Sequence, residues 1–490
     1  MMNKMNNKGF LLAESLIVAT FVITVLVYLF SQFKNIMIEY RNNYKYNTVE
    51  NIYNLGSVSK FLNNNDIVIN SNDYIYKDGN CTDLIPDNYQ TFFNNIAGSM
   101  KLDYLIYADS NIDNVKNNMS SYDQDMQDFI EKINTKKING KGRLIAKFQN
   151  GNFATILMET NKSNLYVSDS GNDLTGYGTI QSPYKTISKA YIEASPSATI
   201  YIMSNITQED KIEMNNNKNI TLTSCTANST KTSCTYSSSY SVTRGSSYTN
   251  GTLFDITTGT LTTTQITISG NNVGSTRALI IDRSNLIVNE GTTITKGKNT
   301  NNDDHDIYGG CVMVYDGNMT MNDGTISDCS TNGFGGAIIT RHTSSGTTSL
   351  SLKGGTITGN KASQGGGLVI GESGNFEMSG GSISNNTASN IGGGVWCNGT
   401  CLMSGGTISE NEATTKHAGG VYIYTNGNFT LNGGVIKKNK AQNSVNGGGI
   451  ILNINSESNA RYNYISGYVC KNNTPNNQYD ITASSNSNCA

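Results

Sequence analysis

The chain opens with an apolar run. Phe10 to Phe30 holds 21 residues and a single charge, Glu14. As a helix this run spans about 31 Å, one bilayer core. Past it the pattern turns amphipathic. Val49, Ile52, Leu55, Val58 and Leu62 recur at three and four residues and predict a helix with one apolar stripe. Taken as one continuous helix, residues 10–62 would measure about 80 Å. Tyr89–Met100 and Tyr122–Ile133 carry helical spacing too, and Leu102–Ala108 reads as a strand. Arg143–Gln149, Asn150-Gly151 and Asn152–Met158 predict a β-hairpin on a tight primed turn. Residues 63–164 read together as a small α+β unit.

Later in the chain the period shortens to two. Runs such as Phe376-Glu377-Met378, Ser382-Ile383-Ser384 and Gly394-Val395-Trp396 alternate as strands with one buried face do. A glycine-rich motif recurs with them: Gly-Gly-x-Ile-x-x-Asn, then Gly-Gly(-Gly) and an apolar run. Copies begin at Gly354-Gly355-Thr356-Ile357, Gly380-Gly381-Ser382-Ile383, Gly405-Gly406-Thr407-Ile408 and Gly433-Gly434-Val435-Ile436. A looser copy is Asp323-Gly324-Thr325-Ile326. The second glycines are spaced by 31, 26, 25 and 28 residues. Such narrowly spread periods mean stacked coils with loop insertions. Three short strands per coil of about 26 residues build a parallel β-helix, with apolar columns inside. The 306 residues from 165 to 470 give roughly 11 coils and a rod about 50 Å long. Asn360, Asn386, Asn411 and Asn439 each follow the repeat's Ile by three residues. Stacked inside the turns, they would hydrogen-bond their counterparts above and below. A plain preference of Asn for turns is the alternative.

The N-terminus carries a compound motif: a polar leader with Lys4 and Lys8, then Gly9-Phe10, then Glu14 inside the apolar run. Lys8-Gly9-Phe10-Leu11-Leu12-Ala13-Glu14 resembles the processing site of type IV prepilins, and the resemblance covers residues 4–62. It implies that a prepilin peptidase cuts between Gly9 and Phe10 and that the new Phe10 amine is N-methylated. It also implies that Glu14, fifth in the mature chain, registers subunits during assembly. The charge logic agrees: Glu14 of one subunit neutralises the Phe10 amine of a neighbour in low dielectric. No proline precedes Pro86, so the mid-helix proline of many major pilins is absent. Lys4 and Lys8 stay cytoplasmic by the positive-inside rule, which places the rest outside. Lys34, Arg41 and Lys45 dilute that bias, so the orientation rests on the motif.

Leu165 to Ala190 holds a strand, the loop Gly171-Asn172-Asp173, then Ser182-Pro183-Tyr184-Lys185-Thr186-Ile187 and a short helix. This is similar to the opening of pectate-lyase-like right-handed parallel β-helices. There the helix would cap the open end of the first coil. Cys225 to Asn250 reads as a protruding loop. The glycine-rich repeats resemble those of bacterial surface adhesins and autotransporter-type passenger rods. The expected fold is mainly β: a right-handed parallel β-helix behind a transmembrane pilin-like helix and a small α+β head. The expected segments are a leader 1–9, helix 10–62, head 63–164, solenoid 165–470 and polar tail 471–490.

Net charge is −2 with 15% charged residues, and no basic block offers a nucleic-acid surface. With 50 Gly against 4 Pro, the composition suits an all-β solenoid. All 9 cysteines lie beyond residue 80. Cys225 with Cys234, and Cys397 with Cys401, are close enough to close small disulfide loops. That would mean an oxidising, exported setting; unpaired small hydrophobes are the alternative. No Cys or His spacing suits zinc.

Lyases and hydrolases on such folds need carboxylates facing one cleft, or a calcium cluster with a base. Asp303, Asp304 and Asp306 are the candidate calcium ligands, with a solvated turn as the alternative. Asp103, Asp109, Asp113, Asp123 and Asp125 read as solvated acids. Arg341-His342 sits at a loop tip and His417 in a turn. Glu372, Glu377, Glu410 and Glu412 are scattered, and the repeats show no acidic pair on adjacent coils. Trp396 falls in a strand, in core or on surface, and nothing in the sequence gathers the 27 Tyr.

The expectation is a minor type IV pilin-like or pseudopilin-like surface protein that displays a β-helix for adhesion or glycan binding. Its partners would be the prepilin peptidase, other pilin subunits, the membrane and a glycan or host-surface ligand. No catalytic residue is assigned, and no cofactor beyond the calcium candidate. A solenoid of 306 residues would crowd a helical lattice, which argues for a filament tip. The rivals are a membrane-tethered polysaccharide lyase or hydrolase, and a spacer or secretion-system pseudopilin without ligand.

Overall fold

A computed structural model describes residues 3–46, 49–64, 74–83, 85–108, 115, 120, 122–133, 141–159, 162–176, 178–231, 233–236, 240–249, 251–276, 278–300, 309–343, 346–442, 447–453, 458–475 and 489. The chain forms two compact units, Met1–Asn161 and Lys162–Ala490.

In the first unit, helix α1 (Asn3–Tyr46) starts inside the polar leader. Its 24-residue stretch Ser15–Ile38 is long and apolar enough to cross a membrane, and none of it is buried. Leu16, Phe21, Phe30 and Phe33 all lie more than half exposed. Helix α2 (Val49–Asn64) buries Leu55, Val58 and Leu62, but Ile52 faces solvent and Asn51 is buried instead. The stripe therefore follows the hydrophobic spacing from Leu55 on and departs from it only in the first turn.

The same unit contains β1 (Tyr74–Lys77), β2 (Asn80–Cys81), α3 (Asp87–Ser99), β3 (Leu102–Ala108), α4 (Gln124–Lys132), β4 (Lys141–Phe148) and β5 (Phe153–Glu159). The strands form one antiparallel sheet in the order β2-β1-β3-β4-β5. Alternation along β3 and β4 feeds both faces. Leu105, Tyr107, Leu144 and Ala146 pack with Leu55, Val58 and Phe93; Tyr104, Ile106 and Ile145 pack with Met126, Phe129 and Ile130. The hairpin forms, but not on a primed turn. Phe148 N–H donates to Asn152 O and Gly151, at φ +75°, closes a three-residue loop. Asp123 is not a free surface acid. It caps α4 through the Met126 N–H and accepts from Tyr104 Oη at 2.6 Å and Lys147 Nζ at 2.7 Å. Asp109 and Asp113 lie outside the described residues.

The second unit is a parallel β-solenoid. It starts with β6 (Lys162–Val167), α5 (Ile187–Glu193) and β7 (Ala194–Ile202). Helix α5 buries Ile187, Ala190 and Tyr191 against the first coils, and Thr186 caps its start. Its end is closed by a buried lysine. Lys218 Nζ donates to the carbonyls of Tyr191, Ile192 and Ala194 at 2.7–2.9 Å. Asp173, from the Gly-Asn-Asp loop, accepts from both N–H groups of Lys185 and Thr186.

About 7 coils are complete, and among the described residues the longest parallel ladder stacks 11 strands, from Lys162–Val167 to Arg461–Val469, close to the number that residue count and period imply. Each full coil has four strands, not three. One coil runs Gly374–Met378, Ser382–Ser384, Thr387–Ile391, Val395–Cys397. The extra short strand starts one residue after the ladder asparagine, and its second residue is a buried alanine: Ala362, Ala388, Ala413 and Ala441. The coils nearer the N-terminus lack this side, and loops take up the remaining length. The stretch 225–250 is also more ordered than a loop. Cys225–Ala227 pairs antiparallel with Cys234–Tyr236, and Ser241–Arg244 rejoins the solenoid. Disulfides join Cys225 to Cys234, Cys311 to Cys329, Cys397 to Cys401 and Cys470 to Cys489; the Cys81 thiol is free and half-buried.

Two of the interior columns define the repeat. One is apolar: Ile268, Ile294, Ile326, Ile357, Ile383, Ile408 and Ile436 sit in register and are fully buried. Each such side chain contributes about 1.5–3 kcal/mol. The other is polar. Asn360, Asn386, Asn411 and Asn439 have no exposed surface. Each Nδ2 donates to the Oδ1 of the Asn in the next coil, at 2.9–3.0 Å. Each also donates to an Ile carbonyl of the preceding coil, and each Oδ1 accepts the backbone N–H of the preceding ladder residue. Asn473 continues the ladder and Cys329 begins it.

The glycines answer to this ladder. A Cβ on Gly367, Gly394, Gly420 or Gly449 would come within 3.0–3.2 Å of a ladder Nδ2. The second glycine of the motif has another duty: Gly355, Gly381, Gly406 and Gly434 turn the chain at φ between +72° and +81°. One residue before each ladder position the backbone is again left-handed, with Glu410 at +58° and Lys438 at +54°.

Asn411→Ala is expected to cost about 3 kcal/mol, because it orphans buried groups on two coils. Glu410→Gly, one residue earlier, is expected to gain up to about 1 kcal/mol by relieving left-handed strain. Thermal unfolding of both variants, followed by circular dichroism in detergent, checks the opposite signs. Equal effects would contradict the ladder's role.

Candidate functional site

Gly9, Phe10 and Glu14 all lie within α1. Asp303, Asp304 and Asp306 lie outside the described residues. No group of three His, Cys, Asp or Glu suited to a metal occurs among the described residues.

The side chains that the fold gathers lie on the outer face of the sheet containing Val312–Tyr315, Ile338–Arg341, Leu368–Ile370, Val395–Cys397 and Val421–Ile423. Register stacks Met313, Ile339, Val369, Trp396, Tyr422 and Ile451 in one column that points away from the solenoid interior. An outer column of that kind is normally wet. Here Val369 is 1% exposed and Trp396 8% exposed. The cause is a wall on each side. Phe334 bridges to Gln364 and Gln364 to Ile391, and Ile391, Ala418 and Phe334 pack onto the column as a second apolar cluster. The opposite wall comes from the residues that follow the strands: Tyr315 beside Arg341, then Gly371, Asn398 and Tyr424. The result is a trough along the solenoid.

At Gly371 the second wall has no side chain. A cavity of about 270 Å³ opens there. Ile339, Val369 and Trp396 line it with Phe334, and Arg341, His342, Glu372 and Asn398 supply polar groups. The Trp396 ring is held between Phe334 at 5.8 Å and Tyr424 at 4.8 Å. Asn426, in the next turn, donates its N–H to Asn398 Oδ1 at 3.0 Å and its Nδ2 to Glu372 Oε1 at 3.1 Å. Asn398 and Glu372 are thus held in place before any ligand arrives. Arg341-His342, separate from Trp396 in the sequence, meets it here. His417 stays outside the cavity and stacks on Tyr422 at 6.3 Å.

The tyrosines also gather, contrary to their scatter in the sequence. Tyr166 and Tyr201 stack at 4.9 Å, and Tyr201 meets Tyr236 at 6.1 Å on another outer face. Acids do pair across adjacent coils, though outside the glycine-rich repeats. Glu213 and Asp255 oppose each other in register. Lys211 Nζ lies 3.3 Å from Glu213 and 3.5 Å from Asp255, and Arg283 Nε lies 3.2 Å from Asp255. Within the repeats the acids stay apart: Glu377 stacks between Ser351 and Leu402, and Glu412 between Thr387 and Lys440.

Asp282 is the chemically anomalous group. It points into the core between Ile256 and Val314 and is 0% exposed. Oδ1 accepts the Ser284 N–H at 3.0 Å, while Oδ2 has no partner among the described residues. Burial pushes its carboxyl up to about 7. The unfolded chain loses this proton near pH ~4. Stability from Asp282 is therefore full below about pH 4 and is lost as pH rises to about 7. Asp282→Asn is expected to stabilise the protein at pH 8, on the order of 3 kcal/mol, with little effect near pH ~4. Melting temperatures across that range check it; a gain independent of pH would refute the titration.

No protein-family model, curated protein or solved structure matches the chain.

Proposed function

We propose that the chain is a minor type IV pilin-like or pseudopilin-like surface protein that carries a β-solenoid as a binding module for a glycan or surface. The observation that carries this reading is the uncovered apolar stretch Ser15–Ile38, directly behind Gly9, Phe10 and Glu14. A soluble protein would bury such a surface. A small antiparallel unit covered by α2, α3 and α4 then follows, as a pilin head would. Four disulfides support an oxidising location. Cleavage after Gly9 frees the Phe10 amine, and Glu14 pairs with the amine of a neighbouring subunit. The partners are then a prepilin peptidase, other pilin subunits and the membrane. The outer trough, with its rim of fixed polar groups, supports a display role over a spacer.

A second reading has one observation in its favour. Glu213 and Asp255 face outward on adjacent coils, as a polysaccharide hydrolase or lyase would need. Lys211 and Arg283 hold these carboxylates in ion pairs, which suits structure better than proton transfer. Depolymerisation of a polysaccharide that disappears in Glu213→Gln would favour the enzyme.

Mass spectrometry of the mature protein tests the main reading. The expected N-terminus is N-methyl-Phe10, and Gly9→Val is expected to keep the leader and abolish filament incorporation. A mature protein that begins elsewhere, with incorporation unchanged in Gly9→Val and Glu14→Ala, would overturn it.

A further inference from the structure

We infer that the cavity beside Trp396 binds one terminal ring of a neutral hexopyranose glycan. The inference rests on reading the solenoid as a binding module, and it gives that module a site and a ligand class. A pyranose has an apolar C–H face and an edge of hydroxyls. The cavity has the complementary form. Ile339, Val369 and Trp396 make an apolar floor, while Arg341, Glu372 and Asn398 stand along the rim. A ligand with hydroxyls can use these polar groups, and a wholly apolar one cannot. Arg341 supplies a fork of donors, Glu372 supplies acceptors and Asn398 supplies both, the set a vicinal diol requires.

Charge and size narrow the class further. Arg341 and Glu372 put opposite charges on one rim, so a uronate carboxylate brought to Arg341 would also meet Glu372. A neutral ring avoids that conflict. At about 270 Å³ the cavity lies just under the ~300 Å³ lower end of ligand pockets, which suits one ring and not a buried chain. The trough continues past the cavity on both sides, so the rest of a glycan would lie along the surface. Gly371 is the residue that makes room. A Cβ there would approach the Thr340 carbonyl oxygen to 2.6 Å, so the gap in the wall is built into the backbone.

The chain holds 1 Trp, and it lines this cavity, so tryptophan emission reports the site directly. The test uses the full chain in a detergent without a sugar head group, titrated with methyl hexopyranosides. A saturable emission change at about millimolar ligand is expected for a molecule of this size. Arg341→Ala and Glu372→Gln are each expected to weaken it about tenfold. Tyr236→Ala, on another face, is expected to have no effect. A response confined to uronic acids would overturn the neutral-sugar assignment. No response, in a protein that still retains glycans on beads, would overturn the cavity but leave the display reading standing. Failure to retain any glycan would remove both.

Discussion

Each coil from Cys329 to Asn473 is tied to the next by a buried side-chain amide. A carboxamide sealed from water must find its donors and acceptors within the protein or lose about 1–3 kcal/mol per group. Here every Asn spends its Nδ2 on two coils and its Oδ1 on a third residue. That fixes the vertical register, because a slip of one residue would empty all the bonds at once. Three other features of the repeat follow. The last glycine of each Gly-Gly(-Gly) run lacks a Cβ because the ladder amide and, for Gly367, Gly394 and Gly420, the next coil's glycine carbonyl fill that space. The residue before each Asn accepts left-handed backbone so that the amide points inward. The Ile three residues earlier supplies both a core side chain and the carbonyl the ladder uses.

A register fixed from within frees the outside. Residues on the outer face of a strand stack in columns whatever their chemistry, so a few substitutions build a surface without endangering the core. Along the sheet that carries Trp396 this yields an apolar column, two walls and one gap at Gly371. Towards the N-terminal coils the same column is ionic, with Glu213 and Asp255 held by Lys211 and Arg283. The rigid scaffold places side chains for a ligand in advance, which lowers the ordering cost of binding.

Much of this was legible in the residues. The period, the Ile column and the candidate Asn ladder follow from spacing alone, because stacking repeats the same contact. The fourth strand was missed, although Ala362, Ala388, Ala413 and Ala441 mark it two residues past each Asn. Its strands are too short for alternation to register. The trough escaped because its parts, Phe334, Arg341, Glu372 and Trp396, belong to four strands or turns and meet only through register. Asp282 escaped because a lone acid after Leu279-Ile280-Ile281 looks like the end of a strand. It is a core position. In the first unit, Ile52 and Asn51 exchanged roles where packing outweighed hydrophobic spacing.

The asparagine ladder, and not the strands alone, holds the coils in register. The backbone N–H groups of Asn386, Asn411 and Asn439 sit in turns and donate only to side-chain oxygens of the ladder. Hydrogen–deuterium exchange of the full chain, read by mass spectrometry on peptides spanning these turns, isolates that contribution. The account predicts protection at these turn amides equal to that of the Ile383 and Ile408 strands. Exchange there as fast as in exposed loops, with the neighbouring strands still protected, would contradict it.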